Sequence, residues 1–598
     1  MNAELTPNFN SKNIVDSISK AIDIGTIQSA LATKGVDWDS VVGVLDEVEH
    51  LIGKEMSVNS HLNSVMFSDE FNKQYEKTLP LISNFYSDLG ANKNLYQAFK
   101  RVNETNLNRQ QQHIVDDSLR SFELSGVALG GAQSERFKEI KEQLSVLSNQ
   151  FSKNVLQSTN AWKKTVSADD LKGYGADEFS KVKKGDHYEI NLQVPVYIDL
   201  MTYADSSDLR EEVYKAYISR ASDVGITSKE YDNRLVMDEI LKLRAEMSEL
   251  VGFSNYAEYS TQSKMVESPD AVIDFLNSLI ELSTPQAKTE LSDLESFAGR
   301  ALMPWDLMYY SEKLKQKTFS FKSSDLKPYF PESSVFDGLF KTIQNLYNIK
   351  LTEIHEETYH QDVRVIKLED DNGVIGRIYL DVYARGNKRG GAWMSDYQGL
   401  YKESLPVAFV VCNLNSPSEG KPALFDFDEI VTIFHEFGHA LHHLLTKVTF
   451  PCAAGISGVP WDGVELPSQY MENFCYEREV VDLISGHWET GEKLPDALFK
   501  KVIESKNFQS GLQMLRQCEF ALWDISTHIS RNDTYHVLNK VREKTALLPT
   551  VEENRFLNSF SHIFSGGYAA GYFSYKWAEV LAADAYEFVK EGGGIGSK

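Results

Sequence analysis

Apolar residues recur at steps of three and four along much of the chain, and this spacing predicts a mainly α-helical protein. The longest such segment, residues 133–156, carries the apolar stripe Phe137, Ile140, Leu144, Leu147, Phe151 and Val155. A second helix is predicted through Ile240 and Leu250, and it should stop near Gly252, which suits the left-handed backbone that follows many helices. Packing into a core explains both stripes better than docking of a partner.

Strand-like segments are few. Residues 373–386, "GVIGRIYLDVYARG", and 406–414, "PVAFVVCNL", are rich in β-branched and aromatic residues and predict a small sheet. Residues 187–198, "HYEINLQVPVYI", follow the turn-like "KKGD" and predict a separate hairpin. The pattern alone leaves open whether 376–386 is an interior strand or an edge that pairs with extended substrate.

Residues 434–445, "FHEFGHALHHLL", place several titratable side chains in an otherwise apolar helix. The helix should begin at Asp426, with Glu429 completing a capping box, and run to about Leu445. His435 and His439 are four residues apart and share one face, while Glu436 is rotated by about 100°. This H-E-x-x-H pattern predicts that the two imidazoles bind one Zn²⁺ ion and that Glu436 is the general base.

The alternative is that these histidines are core residues bonded to backbone carbonyls. It requires several polar side chains to be buried in one helix, each costing about 1–3 kcal/mol if unpaired, and is the weaker interpretation. His442 and His443 are interpreted as flanking residues, with contact of His442 with the site left open. The metzincin pattern fails, because it requires glycine at 442 and histidine at 445.

Composition narrows the function classes. The chain has 598 residues and a formal charge of −25, which disfavours nucleic acid and anionic membrane surfaces as main partners. Its four cysteines show no C-x-x-C spacing, which is typical of a reducing compartment. The first residues lack a signal-peptide pattern, and no uninterrupted apolar run reaches about 18 residues. We expect a cytoplasmic protein with no membrane or nucleic-acid partner.

Downstream, "GISGVPWDGVELPSQYMENF" at 455–474 offers Glu465 at the start of another amphipathic stretch, as a carboxylate for the third ligand position. With "FHEFGHALHHLL", this segment resembles the oligopeptidase A and thimet oligopeptidase family of zinc peptidases, the oligopeptidase A branch above all. Matching segments are "RGGAWMSD" at 389–396, "KPALFDFDEI" at 421–430 and "FSHIFSGGYAAGYFSYKWAEVLAADAY" at 560–586. The likeness is specific across about 380–586 and diffuse before that, with 201–223 the clearest early segment.

The resemblance implies roles for individual residues. His435, His439 and Glu465 take the zinc-ligand positions, and Glu436 takes the general-base position. The substrate-contacting positions fall on four residues near the C-terminal end: His562, Tyr568, Tyr572 and Tyr575. Tyr568 and Tyr575 are the expected donors to the tetrahedral oxyanion, although packed aromatic residues remain an alternative.

The resemblance further implies two helical lobes around a deep channel that admits short, unfolded peptides. The expected activity is a zinc endopeptidase, with a peptidyl-dipeptidase as the alternative within the family. A catalytically silent helical peptide-binding protein is the alternative from another class. We expect a monomer.

The expected organisation is a helical N-terminal region, 1–370, with a soft boundary to a zinc-binding region, 371–598. Relatives continue beyond the position of Lys598, so we expect a truncated or naturally short form.

Two other patterns are dismissed: "GISGV" is not the G-x-S-x-G elbow, and "GGGIGSK" at 592–598 lacks the order of a P-loop. Gly566, Gly567 and Gly571 either let the backbone approach a substrate or are ordinary turn glycines, and Asp462 and Glu472 either orient the ligands or are solvated carboxylates, so no role is assigned to them.

Overall fold

Helices form most of the chain in the computed structural model, which describes residues 6–9, 13–226, 230–417, 420–530 and 533–593. The prediction of a mainly α fold is therefore confirmed. The last five residues, within the "GGGIGSK" segment, lie outside the described ranges. Among the described helices, none combines the length and apolar character that a membrane span requires.

In the described residues, six α-helices precede the first strand and include the longest one predicted. They are α1 (Ile14–Ala32), α2 (Val44–Val65), α3 (Asp69–Gly90), α4 (Lys93–Asn103), α5 (Arg109–Leu124) and α6 (Ala132–Ala161). Polar caps begin several of them: Ser68 accepts from the Phe71 backbone N–H at α3, and Asn108 forms a capping box with Gln111 at α5. Helix α6 contains the whole segment 133–156, as the apolar spacing predicts.

A three-stranded antiparallel sheet follows, in the order β1-β3-β2. Its strands and the adjoining helices are β1 (Lys163–Val166), α7 (Ala176–Val182), β2 (Lys183–Lys184), β3 (His187–Asn191), α8 (Val194–Tyr203) and α9 (Ser207–Ile218). The hairpin predicted at 187–198 thus ends at Asn191. The strand prediction for 194–198 is wrong because Pro195 lies in the first turn of α8, where its fixed φ favours a helix.

Five helices lead from this sheet to the second one. They are α10 (Arg234–Leu250), α11 (Tyr256–Thr261), α12 (Pro269–Ala298), α13 (Leu307–Phe319) and α14 (Glu332–Tyr347). Helix α10 ends as predicted, two residues before Gly252, whose φ of 94° lies in the left-handed region.

The second sheet has five strands in the order β4-β5-β6-β8-β7. They are β4 (Lys350–Ile354), β5 (Arg364–Asp370), β6 (Gly373–Tyr383), β7 (Trp393–Gln398) and β8 (Val407–Leu414). Strand β6 pairs antiparallel with β5 and parallel with β8, so the question left open by its sequence is answered: it is interior. Residues 370 and 371 lie at the turn between β5 and β6, and the division expected there stays a prediction.

The remaining helices carry the candidate site. They are α15 (Phe427–Leu444), α16 (Leu466–Asn473), α17 (Arg478–Ile484), α18 (Asp496–Ser505), α19 (Ser510–Ile529), α20 (Thr534–Thr545), α21 (Ser561–Phe564) and α22 (Ser574–Glu591).

Two large apolar clusters meet at this site. One, here called the sheet core, joins the five-stranded sheet to α14, α15 and α17 and includes Ile378, Leu380, Val410, Phe434, Phe437 and Phe474. The other, here called the helical core, joins α6, α10, α12, α19 and α20 and includes Phe151, Ile240, Leu522, Trp523, Ile563 and Phe573. Helix α15 belongs to the first cluster and the tyrosine-bearing segment after α21 to the second.

Candidate metal centre

Helix α15 begins where the sequence predicts. The Asp426 side chain accepts from the Glu429 backbone N–H, and the Glu429 side chain accepts from that of Asp426, both at 2.9 Å. This capping box satisfies two N–H groups that the first turn leaves without helical partners. Phe434, Phe437 and Leu441 bury one face of the helix in the sheet core. The histidines therefore lie on a face whose direction is determined by apolar packing.

The predicted ligands converge. The Nε2 atoms of His435 and His439 each lie 3.2 Å from Oε2 of Glu465, the residue that caps α16. One ligand atom from each of the three residues lies within 4.8 Å of the other two. Tetrahedral zinc with bonds of about 2.0–2.2 Å holds its ligand atoms about 3.3–3.6 Å apart, so the cluster fits this ion.

Neighbouring side chains orient the ligands. Nδ1 of His435 lies 2.6 Å from Oε1 of Glu472, which directs Nε2 towards the cluster. Ser468 donates its hydroxyl to Glu465 at 3.1 Å. Of the two carboxylates without an assigned role, Glu472 thus contacts a ligand, whereas Asp462 accepts from the backbone N–H groups of Met265 and Val266.

Gly438, between the two histidines, lets α15 and α16 approach closely. A Cβ atom at this position would lie 2.5 Å from both the Pro467 carbonyl oxygen and the Ser468 Cα atom. Since both are backbone atoms, a side chain would push the helices apart. The glycine therefore allows Glu465 to reach the two histidines.

Glu436 lies beside this cluster and outside the ligand set. It is only 4% exposed, and its Oε2 has no hydrogen-bond partner among the described residues. Burial raises the pKa of this carboxyl, against the opposing charges of His435 and His439. It is a buried carboxyl group next to the candidate ligands, with one oxygen that lacks a partner among the described residues.

The two flanking histidines differ from the ligands. His443 is fully buried, and its Nε2 lies 3.0 Å from the Gln398 carbonyl oxygen. Burial lowers the pKa of His442 to about 4, and its Nδ1 has no partner among the described residues. Neither belongs to the metal-binding cluster found in the described part of the chain.

The predicted tyrosines reach the site from the other cluster. The Tyr568 hydroxyl donates to Oε1 of Glu465, and its ring stacks on Tyr575 with centroids 5.1 Å apart. Burial first, and then the charge of Glu465, raises the pKa of both phenols well above the ordinary value. Both rings are therefore neutral hydrogen-bond donors near the ligands.

His562 and Tyr572 complete this aromatic group. The His562 ring centroid lies 5.8 Å from that of Tyr568 and 5.6 Å from that of Tyr572. Desolvation by the surrounding protein atoms, and then the charge of Arg389, lowers the pKa of His562 to about 4, although solvent contacts this residue. The Tyr572 side chain is buried, and its hydroxyl donates to Gln517 at 3.2 Å.

Asp524, which the sequence does not single out, holds the segment that carries these tyrosines. Its carboxylate accepts from the backbone N–H groups of Ala570, Gly571 and Tyr572 at 2.9, 2.9 and 3.0 Å. Such N–H groups form an anion-binding concavity, and Ala570 takes a φ of 46° there. Asp524 is fully buried on α19, so the segment is anchored to the helical core.

A buried chain of hydrogen bonds supports Asp524 in turn. His528 Nδ1 lies 2.8 Å from the backbone carbonyl oxygen of Asp524 and 3.1 Å from its Oδ1, and His528 Nε2 lies 3.1 Å from Nη1 of Arg244. Arg244 also donates to the Ile563 carbonyl at 2.8 Å. The sequence "ALWDISTHI" reads as an ordinary amphipathic helix, so only the structure connects these residues.

Comparison with known proteins agrees with this arrangement. The sequence profile of peptidase family M3 matches residues 200–597, and that of the neurolysin/thimet oligopeptidase N-terminal domain matches residues 18–134. The chain belongs to peptidase family M3. The resemblance stated from the sequence is therefore confirmed, and membership makes the chain a metallopeptidase that acts on peptides.

Relatives support the same conclusion for this M3 peptidase. Oligopeptidase A of Salmonella typhimurium is 43% identical, over 97% of this chain and 90% of the relative. Dipeptidyl carboxypeptidase of Escherichia coli is 28% identical, over 95% and 86%. A solved structure of PZ peptidase A with an inhibitor is 13% identical, over 97% and 88%, and shares the fold with a TM-score of 0.57.

The close contact at Gly438 predicts the effect of a single added methyl group. Gly438→Ala should lower the affinity for the metal by about 10- to 100-fold, because α16 must move Glu465 away from the histidines. Metal content after dialysis against graded chelator measures this. Gly53→Ala is the matched control, since a Cβ atom there meets nothing nearer than 3.9 Å. Equal metal retention by both variants would contradict the account.

The anchoring of the tyrosine segment predicts a different defect. Asp524→Asn places an amide where three N–H donors now meet a carboxylate, so the segment should shift and kcat should fall by about 10- to 100-fold. Metal content should fall much less than kcat, because Asp524 itself contacts none of His435, His439 and Glu465. The exposed Asp117→Asn serves as control. A change in KM alone would show that Asp524 does not position the tyrosines for the reaction.

Proposed function

We propose that this M3 peptidase is a zinc-dependent endopeptidase of short, unfolded peptides. The observation that carries the proposal is the convergence of His435, His439 and Glu465 beside Glu436, whose carboxylate oxygen is buried and unpartnered. Buried polar groups normally have partners, so an unpartnered carboxylate next to a ligand set favours a reacting group over a structural one.

In this proposal His435 and His439 bind zinc through Nε2 and Glu465 through a carboxylate oxygen. When bound, zinc would lower the pKa of a water towards about 7 and polarise the carbonyl of the peptide bond. Glu436 accepts a proton from the attacking water and then donates it to the leaving amine nitrogen. Its burial supports this role, because a raised pKa brings a carboxyl nearer to the range in which it both takes and gives a proton.

Tyr568 and Tyr575 donate hydrogen bonds to the oxyanion, and His562 contacts the substrate beside them. Their neutral state supports this, because both hydroxyls can donate, and the contacts of Asp524 with their segment hold the backbone from which they donate. In this structure the Tyr568 hydroxyl donates to Glu465, so it must turn towards the substrate. The hydroxyl of Tyr572 has Gln517 as its partner, and its substrate contact stays a prediction.

The higher identity to oligopeptidase A than to dipeptidyl carboxypeptidase favours endopeptidase over dipeptidyl cleavage. The intact ligand set and Glu436 argue against a silent peptide-binding protein. All four cysteines are free thiols, which supports a cytoplasmic location. The expectations of a channel and of a monomer stay predictions.

Mass spectrometry of products tests the proposal directly. Peptides of graded length are incubated with the protein, with and without chelator, and with zinc restored. We expect internal cleavage that stops on chelation and returns with zinc. Release of C-terminal dipeptides alone would favour the alternative activity, and cleavage that chelator leaves unchanged would overturn the zinc mechanism.

The role of Glu436 predicts separate effects on binding and turnover. Glu436→Gln keeps the size of the side chain but loses the basic carboxylate, so it should retain zinc and lower kcat by about 10²- to 10⁴-fold. His439→Ala removes a ligand and should lose both zinc and activity. Metal analysis and steady-state kinetics on the same preparations distinguish the two. Near-normal hydrolysis by the glutamine variant would remove Glu436 from the mechanism.

A further inference from the structure

A polar cavity of about 230 Å³ lies between helices α2, α3 and α6 and the loop that joins β6 to β7. Seven hydroxyl groups line it, belonging to Ser60, Ser64, Tyr75, Ser145, Ser148, Ser152 and Ser565. Two cationic side chains, Lys153 and Arg389, also line it, and no carboxylate does so among the described residues. In a chain with 86 acidic and 61 basic residues, a cavity lined by cations and hydroxyls without an acid suits an anion.

Arg389 differs from the other cations of its loop. Arg385 and Lys388 both bind the buried carboxylate of Asp381, at 2.6 and 2.8 Å, so each has a counter-ion. The guanidinium of Arg389 has no carboxylate partner in the described part of the chain. It lies over the Trp393 ring, 4.2 Å from the ring centroid. Stacking fixes the plane of the guanidinium and leaves its N–H edge available for a bidentate acceptor.

The backbone holds Arg389 at this position from both sides. Its N–H donates to the Ser64 carbonyl, and its carbonyl accepts from the Asn413 side chain, both at 2.8 Å. Lys153, the second cation, has a distant acidic partner, with Nζ 3.7 Å from Oε1 of Glu76. A half-buried guanidinium that is rigidly held and lacks a counter-ion is costly unless a ligand supplies one.

The cavity adjoins the candidate site. Ser565, three residues after His562, is part of its lining, and the charge of Arg389 acts on His562. We propose that Arg389, with Lys153 and the surrounding hydroxyls, forms a subsite that binds a carboxylate of the peptide substrate. This inference rests on the proposed function, and it adds a determinant of which peptides are cleaved. The carboxylate comes either from the peptide C-terminus or from an acidic side chain.

Two pairs of peptides distinguish these two sources of the carboxylate. The first pair shares one sequence and ends in either a free carboxylate or a carboxamide. The second pair is amidated and carries either glutamate or glutamine at one internal position. kcat/KM is measured for the wild type, for Arg389→Gln and for the exposed, ion-paired Arg120→Gln as the matched control.

The wild type should prefer the carboxylate member of one pair by about 10- to 100-fold, the range expected for charge-assisted hydrogen bonds. Arg389→Gln should abolish that preference while leaving the amide or glutamine peptide unaffected, and Arg120→Gln should keep it. Arg389→Lys retains the charge without the planar guanidinium and should keep part of the preference for the carboxylate peptide. It also controls for misfolding of the Arg389→Gln variant.

Equal rates within both pairs for the wild type, or an unchanged preference in Arg389→Gln, would overturn the subsite. The affinity of the same peptides for the Glu436→Gln protein, measured by calorimetry, distinguishes failure of the subsite from failure of the proposed function. If the wild type cleaves none of them but binding still favours the carboxylate through Arg389, the subsite stands and the proposed activity fails.

Discussion

Helices α15 and α16 approach so closely at Gly438 that no side-chain carbon fits between them, and the candidate metal centre depends on this contact. Two ligands belong to one helix and the third caps the other, so the distance between the helix axes sets the distance between ligand atoms. Phe434 and Phe437 hold α15 against the sheet, and Met471 and Phe474 hold α16 and its end in the same core. Apolar packing thereby determines the geometry of a polar site.

Buried charges near the site fall into two groups. Asp381 and Asp524 are each compensated, the first by Arg385 and Lys388 and the second by three backbone N–H groups. Compensation of this kind makes a buried carboxylate a structural element. Glu436 and Arg389 lack it, and both lie where the proposed function brings a substrate. The contrast separates compensated groups, which stabilise the fold, from two groups for which we propose a role with the substrate.

The sequence predicts those features that depend on residues close together in the chain. The capping box at Asp426, the spacing of His435 and His439 and the end of α10 near Gly252 all follow from local pattern and are confirmed by the structure. The error at 194–198 is also local. The β-branched residues of this segment favour a strand, but Pro195 lies in the first turn of a helix. Contacts between distant segments carry no such pattern. Asp524 meets Ala570 across 46 residues, and Gly438 meets Pro467 only once both helices are in place.

The site lies across the junction of two cores, and polar contacts join its two halves. Tyr568 donates to Glu465, and the Gln469 side chain donates to the Tyr575 carbonyl at 2.7 Å. Asp462, just before Glu465, accepts from the backbone of Met265 and Val266, at the edge of the helical core. Helices α15 and α16, which position the three candidate ligands, pack in the sheet core, and Tyr568 and Tyr575 pack against the helical core. A displacement of one core relative to the other would therefore move these tyrosines relative to the candidate ligands, while α15 and α16 stay attached to the same core.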